Sequence, residues 1–267
     1  MDVLSLFEPI LQVIWVSFRV GAFWLAFPFV VSLQLPPMVR LASSLTLSMA
    51  LVPLVGKTLP QWTISAPPEL PELVAFAFRE FIIGLGLGFL AKFIFSSAVA
   101  AASWIGSQIG FSAASVLNPD FQESDTSWSS LHGWIALMVY LGIGGHWFTL
   151  EALAESYRFS FTDFYAHLSN TEAGIRLWSE VGTSFFTWML KLSGPMLVVL
   201  MVLQAGLGVL SKFVPQINIW VVSMPITIGV GVLVFAMSLP MYGETLQKLF
   251  TAGMETQYLW LRFLGAR

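Results

Sequence analysis

Hydrophobic residues run through the chain in six long stretches, which short polar segments separate. These stretches are continuous rather than alternating, and they exceed the roughly 10 residues of a transmembrane barrel strand. A helix of about 20 apolar residues has the length that crosses the hydrocarbon core of a bilayer. The pattern therefore predicts an all-α integral membrane protein. The stretches cover residues 10–33, 41–55, 73–116, 131–153, 181–210 and 217–239.

The third stretch is about twice as long as one membrane crossing. It contains several glycines, and we expect it to form a helix, a bend and a second half-helix packed inside protein rather than facing lipid. If the six stretches cross the membrane one after another, most lysines and arginines outside them lie on the side that holds both termini, and the positive-inside rule places that side in the cytoplasm. The double length of the third stretch weakens this assignment. The glycines are Gly84, Gly86, Gly88, Gly106 and Gly110.

The composition agrees with a membrane protein and excludes several functional classes. Hydrophobic residues make up 57% of the chain and charged residues 10%, against about 25% charged residues in ordinary soluble domains. A net charge of −3 provides no basic surface, so nucleic acid is not expected as a partner. The absence of cysteine from the sequence excludes disulfides, thiolate zinc sites and iron–sulfur clusters.

Small residues recur along the third stretch at close to a four-residue spacing, at Ser96, Ala100, Ser103 and Ser107. Such a stripe lets helix backbones approach each other closely inside a membrane. Ordinary intramembrane packing explains any one of these positions. Their repetition favours a tightly packed assembly of several subunits.

Charged residues well inside the apolar stretches, away from their ends, are few: Arg19, Arg79, Glu80, Lys92 and Lys191. A charge inside a membrane costs free energy, so each one suggests a functional role. A proton relay needs several acids or histidines, and Glu80 is the only acid in this set. We therefore expect these charged side chains to snorkel to the membrane surface or to pair with a neighbouring subunit. The arginine and the glutamate at adjacent positions are not expected to pair with each other, because neighbours on a helix point in different directions.

The sequence lacks residues that known catalytic and metal-binding signatures require. The sequence Gly56-Lys57-Thr58 ends like a phosphate-binding loop, but Leu51 stands where the leading glycine is required. The three histidines, His132, His146 and His167, lack the spacing of a zinc site. We expect His146 to cap or hydrogen-bond within its segment, and we expect no catalytic residue, cofactor or metal.

Residues 208–219 read GVLSKFVPQINI. This segment closely resembles the GLLSRFAPQLNIF signature of the FliR/SctT family of type III secretion export-gate proteins. Residues 105–111, IGSQIGF, and the following Asn118-Pro119-Asp120 are similar to the family's glycine-rich segment and its Asp-Pro-like turn, although the order here is Asn-Pro. Gly145-His146 matches the family's Gly-His pair, and the opening residues Arg19, Pro28, Pro36 and Arg40 are similar to its N-terminal pattern.

The resemblance implies a subunit of a protein export gate that is not an enzyme. In this family one FliR subunit joins five copies of FliP and four of FliQ, with FlhB around the cytoplasmic entrance, and unfolded flagellar proteins pass through. Residues 1–180 would form a FliP-like part, and residues 181–267 a FliQ-like helical hairpin with a C-terminal tail. The family is placed in the bacterial inner membrane at the flagellar basal body, with the N-terminus periplasmic and the C-terminus cytoplasmic, which contradicts the charge count.

The resemblance also implies two functional segments. Residues 106–122 would lie across the pore as a plug, and the turn at 212–218 would be a hairpin tip held by FliQ and FlhB. For the plug segment, the alternative is an ordinary interhelical connection. For the whole protein, the alternatives are an injectisome subunit, a secondary transporter and a membrane scaffold. The implied plug residues are Gly106, Gln108, Ile109, Gly110, Phe111, Val116, Leu117, Asn118, Pro119 and Asp120. The implied tip residues are Lys212, Pro215, Gln216 and Asn218.

Overall fold

The computed structural model describes residues 8–28, 36–55, 69–111, 124–158, 171–214, 216 and 219–264. Within these ranges every regular element is a helix, which confirms the predicted all-α class. The helices are α1 Glu8–Ala26, α2 Pro37–Val55, α3 Leu70–Ile109, α4 Ser124–Gly142, α5 Gly145–Glu155 with a 3-10 turn at Ser156–Arg158, α6 Thr171–Phe213 and α7 Ile219–Phe263.

Five of these helices, α1, α2, α3, α6 and α7, are long and apolar enough to cross a membrane. A sixth crossing is counted if α4 and the segment from α5 to Arg158 form one broken span. The prediction of a multi-pass membrane protein is therefore confirmed. The three longest helices have 40, 43 and 45 residues, or about 60 to 68 Å at 1.5 Å per residue. Each is about twice as long as the roughly 30 Å hydrocarbon core.

The structure corrects the prediction for the third and fourth stretches. The third is one continuous helix, α3, without the expected bend. The fourth was predicted as one segment but divides into α4 and α5. The break lies at Gly144, whose φ of +74° favours glycine.

Helices α6 and α7 extend well beyond the apolar stretches that predicted them. Helix α6 begins at Thr171, inside a segment taken for a polar break, and α7 continues past residue 239 to Phe263. Along α7, Tyr242, Leu246, Leu249 and Phe250 are buried at helical spacing. This part of α7 is amphipathic, so a search for continuous apolar runs misses it.

The chain forms two compact units, neither of which is continuous in sequence. Unit 1 comprises Met1–Phe93, Gly145–Val181 and Ala252–Arg267, and unit 2 comprises Ile94–Gly144 and Gly182–Thr251. One boundary, between Val181 and Gly182, coincides with the predicted division between the FliP-like and FliQ-like parts. That division itself stays a prediction.

Each unit has its own apolar core. In unit 1, Phe23 stacks on Phe27 with ring centroids 4.7 Å apart, within a buried cluster that also holds Leu87 and Trp260. In unit 2, the ring of Phe95 lies 5.5 Å from that of Phe250. These cores fix the positions of the polar groups described next.

Candidate functional site

The first candidate site lies in unit 2, at the C-terminal end of α3 where the predicted plug begins. Gly110 has a φ of +106°, a conformation that glycine adopts readily and other residues avoid. The N–H of Phe111 donates to the carbonyl of Gly106 over 3.1 Å, which is the six-to-one hydrogen bond of a glycine C-cap. Gly110 therefore ends α3 and turns the chain out of the helix.

Helix α7 holds the last residue of α3 directly. The side chain of Ile109 is fully buried. A Cβ atom added to Gly231 would lie 2.6 Å from Cγ1 of Ile109, so the α7 backbone leaves room for this side chain only because residue 231 is glycine. One turn earlier on the same face of α7, the Thr227 hydroxyl donates to the Ile109 carbonyl over 2.9 Å.

Helix α6 supplies a second polar contact to the same end of α3. The Nε2 atom of Gln204 donates to the carbonyl of Gln108 over 3.0 Å. The last four carbonyls of a helix have no partner within it. Of those four in α3, the carbonyls of Gly106, Gln108 and Ile109 accept hydrogen bonds from the C-cap, α6 and α7.

An aromatic contact joins the chain before and after the predicted plug loop. Phe111 stacks on Trp128 of α4 with ring centroids 5.4 Å apart. Trp128 in turn meets Phe235 of α7 edge to face at 5.3 Å, and its carbonyl accepts a hydrogen bond from Nδ1 of His132 over 3.0 Å. Phe111 and Trp128, which stand on either side of the segment 112–123 in the sequence, therefore lie next to each other.

The predicted site residues differ in position and burial, and some of them lie outside the described ranges. Gly106 and Gln108 lie in the last turn of α3, and Gly110 and Phe111 form the turn that follows it, so their place in a plug stays a prediction. Ile109, which was expected to provide apolar bulk that obstructs a passage, is instead packed inside unit 2, because Gly231 opens a space for it. Lys212 and Gln216 of the predicted tip are exposed. Outside the described residues lie Val116, Leu117, Asn118, Pro119, Asp120, Pro215 and Asn218.

The second candidate site is a buried charge cluster in unit 1. Arg19 of α1 binds Glu80 of α3 through two hydrogen bonds, Nε to Oε2 at 2.7 Å and Nη2 to Oε1 at 2.8 Å. The Nη1 atom of Arg19 donates to Oγ of Ser156 over 2.8 Å, and its guanidinium lies 3.9 Å from the ring centroid of Tyr157. The Tyr157 hydroxyl donates to the carbonyl of Val16 over 3.0 Å. This cluster joins α1, α3 and the turn after α5.

Two expectations about the charges are wrong. Arg79 does bind its neighbour Glu80, with Nη2 2.6 Å and Nε 3.0 Å from Oε1. Moreover, Arg19, Arg79 and Glu80 are buried by pairing within one chain rather than with another subunit. Lys92 and Lys191 are exposed on this chain, so the expectation that they snorkel or pair with a neighbouring subunit stays a prediction, and Nζ of Lys191 lies 4.5 Å from the Trp188 ring centroid.

The histidines add nothing to either site beyond the contact of His132. His146 was expected to form a hydrogen bond, but its buried Nδ1 atom has no partner among the residues that the structure describes. His167 lies outside the described residues.

A model of the family described as bacterial export proteins, family 1, matches residues 10–253. The chain belongs to this family. The match includes the buried charge cluster, the end of α3, helix α6 and α7 as far as residue 253, so both candidate sites lie within the family's common region.

Two similar relatives among the bacterial export proteins are flagellar biosynthetic proteins FliR. The protein of Aquifex aeolicus is 25% identical over 260 residues, covering 94% of this chain and 93% of the relative. That of Escherichia coli is 26% identical over 238 residues, covering 89% and 87%. The Yop proteins translocation protein T of Yersinia pestis is 27% identical over 153 residues, covering 55% and 56%. The resemblance to the FliR/SctT family is confirmed.

Sequence reasoning missed four of the residues that build these sites. Ser156 and Tyr157 follow α5 at the edge of a polar break, where nothing in the sequence indicates a contact with α1. Gln204 and Thr227 stand alone in apolar helices, where a polar side chain usually bonds to its own backbone. The four-residue spacing of Thr227 and Gly231 was a usable signal, because it places a donor and a gap on one helix face.

Proposed function

We propose that this chain is a non-enzymatic subunit of the flagellar type III export gate. The observation that carries the proposal is the family match over residues 10–253, together with FliR relatives that align with most of this chain. The flagellar relatives cover 94% and 89% of the chain, whereas the Yersinia translocation protein covers 55%. This difference favours a flagellar over an injectisome role.

We further propose that one copy of the chain joins five FliP and four FliQ subunits in the bacterial inner membrane, with FlhB at the entrance of the conduit. The long helices α6 and α7 support such an assembly because large apolar side chains remain exposed along both. Lipid covers about 30 Å of such a surface, and these helices are about twice as long. Examples of the exposed side chains are Val198, Met201, Val202, Val209, Phe213, Val221, Leu233 and Met237.

The segment that begins at Gly106 is proposed to close the conduit, with unfolded flagellar proteins displacing it during export. Two features support this. The C-cap at Gly110 directs the chain out of α3. The stacking of Phe111 on Trp128 brings the described residues before and after the segment 112–123 to one place. The turn at 212–218 is proposed as the tip that FliQ and FlhB hold, and the exposure of Lys212 and Gln216 leaves them accessible to such partners.

The secondary-transporter alternative loses one of its supports, although the break between α4 and α5 remains. It requires discontinuous helices around a substrate site at the middle of the membrane. The glycine-rich helix that suggested one, α3, is unbroken from Leu70 to Ile109.

Native mass spectrometry tests the assembly. The chain is co-expressed with the FliP and FliQ proteins encoded in the same genome and extracted in detergent. We expect a large hetero-oligomer that contains one copy of this chain. A monomer or homodimer in the presence of both expressed partners would contradict the proposal.

Deletion of Gly110 to Asn118 tests the plug. Because the deleted residues are the ones proposed to obstruct the conduit, we expect the complex to assemble and its closed state to conduct small ions in a planar bilayer. The unaltered complex serves as the control, with composition checked by native mass spectrometry. Unchanged conductance in a correctly assembled complex would rule out the plug.

A further inference from the structure

We propose that Gln204 and Thr227 form a releasable latch that holds the end of α3, and that the gate opens only after this latch is released. The latch is defined by these two side chains and the two carbonyls they contact, those of Gln108 and Ile109. The inference rests on the proposed function of the segment after Gly106 as a plug. It adds a mechanism that sets when the plug can move.

The latch acts at the residue from which the plug segment departs. Thr227 is almost fully buried, and its hydroxyl lies 2.9 Å from the Ile109 carbonyl. Ile109 is itself fully buried against Gly231. While these contacts hold, the last turn of α3 cannot move away from α7, and Gly110 and Phe111 leave α3 from a fixed point.

The hydroxyl of Thr227 can break its hydrogen bond to α3 and still donate to another carbonyl. It carries one proton, and three carbonyl oxygens lie within reach: Ile109 of α3 at 2.9 Å, and Ser223 and Met224 of its own helix at 2.9 and 3.1 Å. Rotation toward Ser223 or Met224 gives the ordinary bond of a threonine within a helix. The donor is therefore satisfied in both the latched and the released arrangement.

The second contact is equally exchangeable. Gln204 is exposed, so water can replace the Gln108 carbonyl as the partner of Nε2. Both latch residues thus contact α3 through single hydrogen bonds that have a ready substitute.

The positions of the latch residues connect them to the hairpin tip. Gln204 lies nine residues before α6 ends at Phe213, and Thr227 lies eight residues after α7 begins at Ile219. At 1.5 Å per residue, both are about 12 to 14 Å from the ends of the two arms. A partner that shifts the tip at Lys212 to Gln216 therefore moves both donors relative to α3.

A reversible covalent lock provides the first test. The chain contains no cysteine, and a Cβ atom at position 231 would lie 2.6 Å from Cγ1 of Ile109, so the double variant I109C/G231C brings the two sulfurs to bonding range. Joining α3 to α7 in this way keeps the latch closed. In cells that carry this variant as their only copy, we expect oxidation with copper phenanthroline to stop flagellar protein export and dithiothreitol to restore it.

The reduced double variant is the control for any effect of the substitutions themselves. Native mass spectrometry of the oxidised complex checks that assembly is intact, which separates a locked gate from a misassembled one. Full crosslinking with export at the unoxidised rate would overturn the latch. If the reduced variant fails to export, the second test decides.

The second test weakens the latch instead of locking it. T227V and Q204L remove the two donors, and the control T251V removes an exposed hydroxyl of α7 that donates to the Gln247 carbonyl over 2.6 Å. Loss of one hydrogen bond shifts a two-state equilibrium by about 2- to 10-fold. We expect a closed-state conductance higher by that factor for T227V and for Q204L, a larger increase for the double variant, and none for T251V.

The outcomes separate this proposal from the one on which it rests. If the Gly110 to Asn118 deletion conducts while T227V and Q204L match the unaltered complex, the plug stands and the latch is wrong. If the deletion itself does not conduct, the plug is wrong and the latch is overturned with it. A rise for T251V equal to that for T227V would likewise overturn the latch, because it would assign the effect to general loosening of α7.

Discussion

Replacing Glu80 by glutamine is expected to destabilise unit 1 more than any other single change described here. Glu80 is completely buried and binds both Arg19 and Arg79. Its neutralisation leaves two guanidinium groups in an apolar interior without their shared carboxylate, and removing one partner of a buried ion pair costs about 3 to 5 kcal/mol. We expect a large fall in the unfolding midpoint, followed through the fluorescence of the chain's 11 tryptophans in detergent.

A matched substitution distinguishes burial from charge. Glu172 also pairs with an arginine, Arg176, at 2.7 Å, but both side chains are at least three-quarters exposed. Because exposed pairs contribute about 0 to 1 kcal/mol, Glu172→Gln should leave the midpoint almost unchanged. The R19M variant should fall between the two, since Glu80 keeps its bond to Arg79. Equal midpoints for the Glu80 and Glu172 variants would refute the structural role of the cluster.

Gly84→Ala is expected to force α1 and α3 apart at the same place. A Cβ atom at position 84 would overlap the carbonyl oxygen of Arg19, and one at Gly88 would lie 2.5 Å from that of Phe23. Backbone atoms cannot turn aside as a flexible side chain can, so relief requires a shift of α1, which carries Arg19. Overpacking costs typically about 1 to 3 kcal/mol, and here strain in the Arg19–Glu80 bonds adds to it. The same fluorescence measurement should show a clear fall in midpoint.

Gly21→Ala is the control, because it makes the same chemical change in the middle of α1 with nothing within 4 Å of the new Cβ atom. Alanine is favoured over glycine inside a helix by about 0.5 to 1 kcal/mol, so this variant should be as stable as the original chain or slightly more so. If Gly84→Ala also behaved in this way, the close approach of α1 to α3 would be refuted.

The fold class followed from the sequence because apolar runs of membrane-crossing length are hard to satisfy in any other way. Helix ends were harder to predict. The sequence of α3 contains several glycines that suggested a bend, but Gly84 and Gly88 instead allow another backbone to approach. Whether a glycine ends a helix or admits a neighbour depends on what lies opposite, and sequence spacing alone does not contain that information.

For the candidate sites too, the sequence identified single residues but not the contacts between distant parts of the chain. Gly110 was predicted as part of the plug, and its place at the end of α3 fits its conformational freedom. Arg19 and Glu80 were singled out as costly charges, but their pairing depends on two helices 61 residues apart in sequence. Thr227 drew no attention because its bonds to Ser223 and Met224 are local and ordinary, while its bond to Ile109 spans 118 residues.

The ion pair between α1 and α3 has a consequence for how the protein is made. Arg19 leaves the ribosome 61 residues before Glu80, an interval of about 3 to 12 s at ordinary bacterial elongation rates. During that time α1 carries an arginine without its acid, which costs about 2.5 to 3.5 kcal/mol at the centre of a helix in lipid. The arrival of α3 therefore stabilises helix α1 in the bilayer, and a nascent chain that keeps its first helix beside the insertion machinery until then can pair this arginine as soon as its acid emerges.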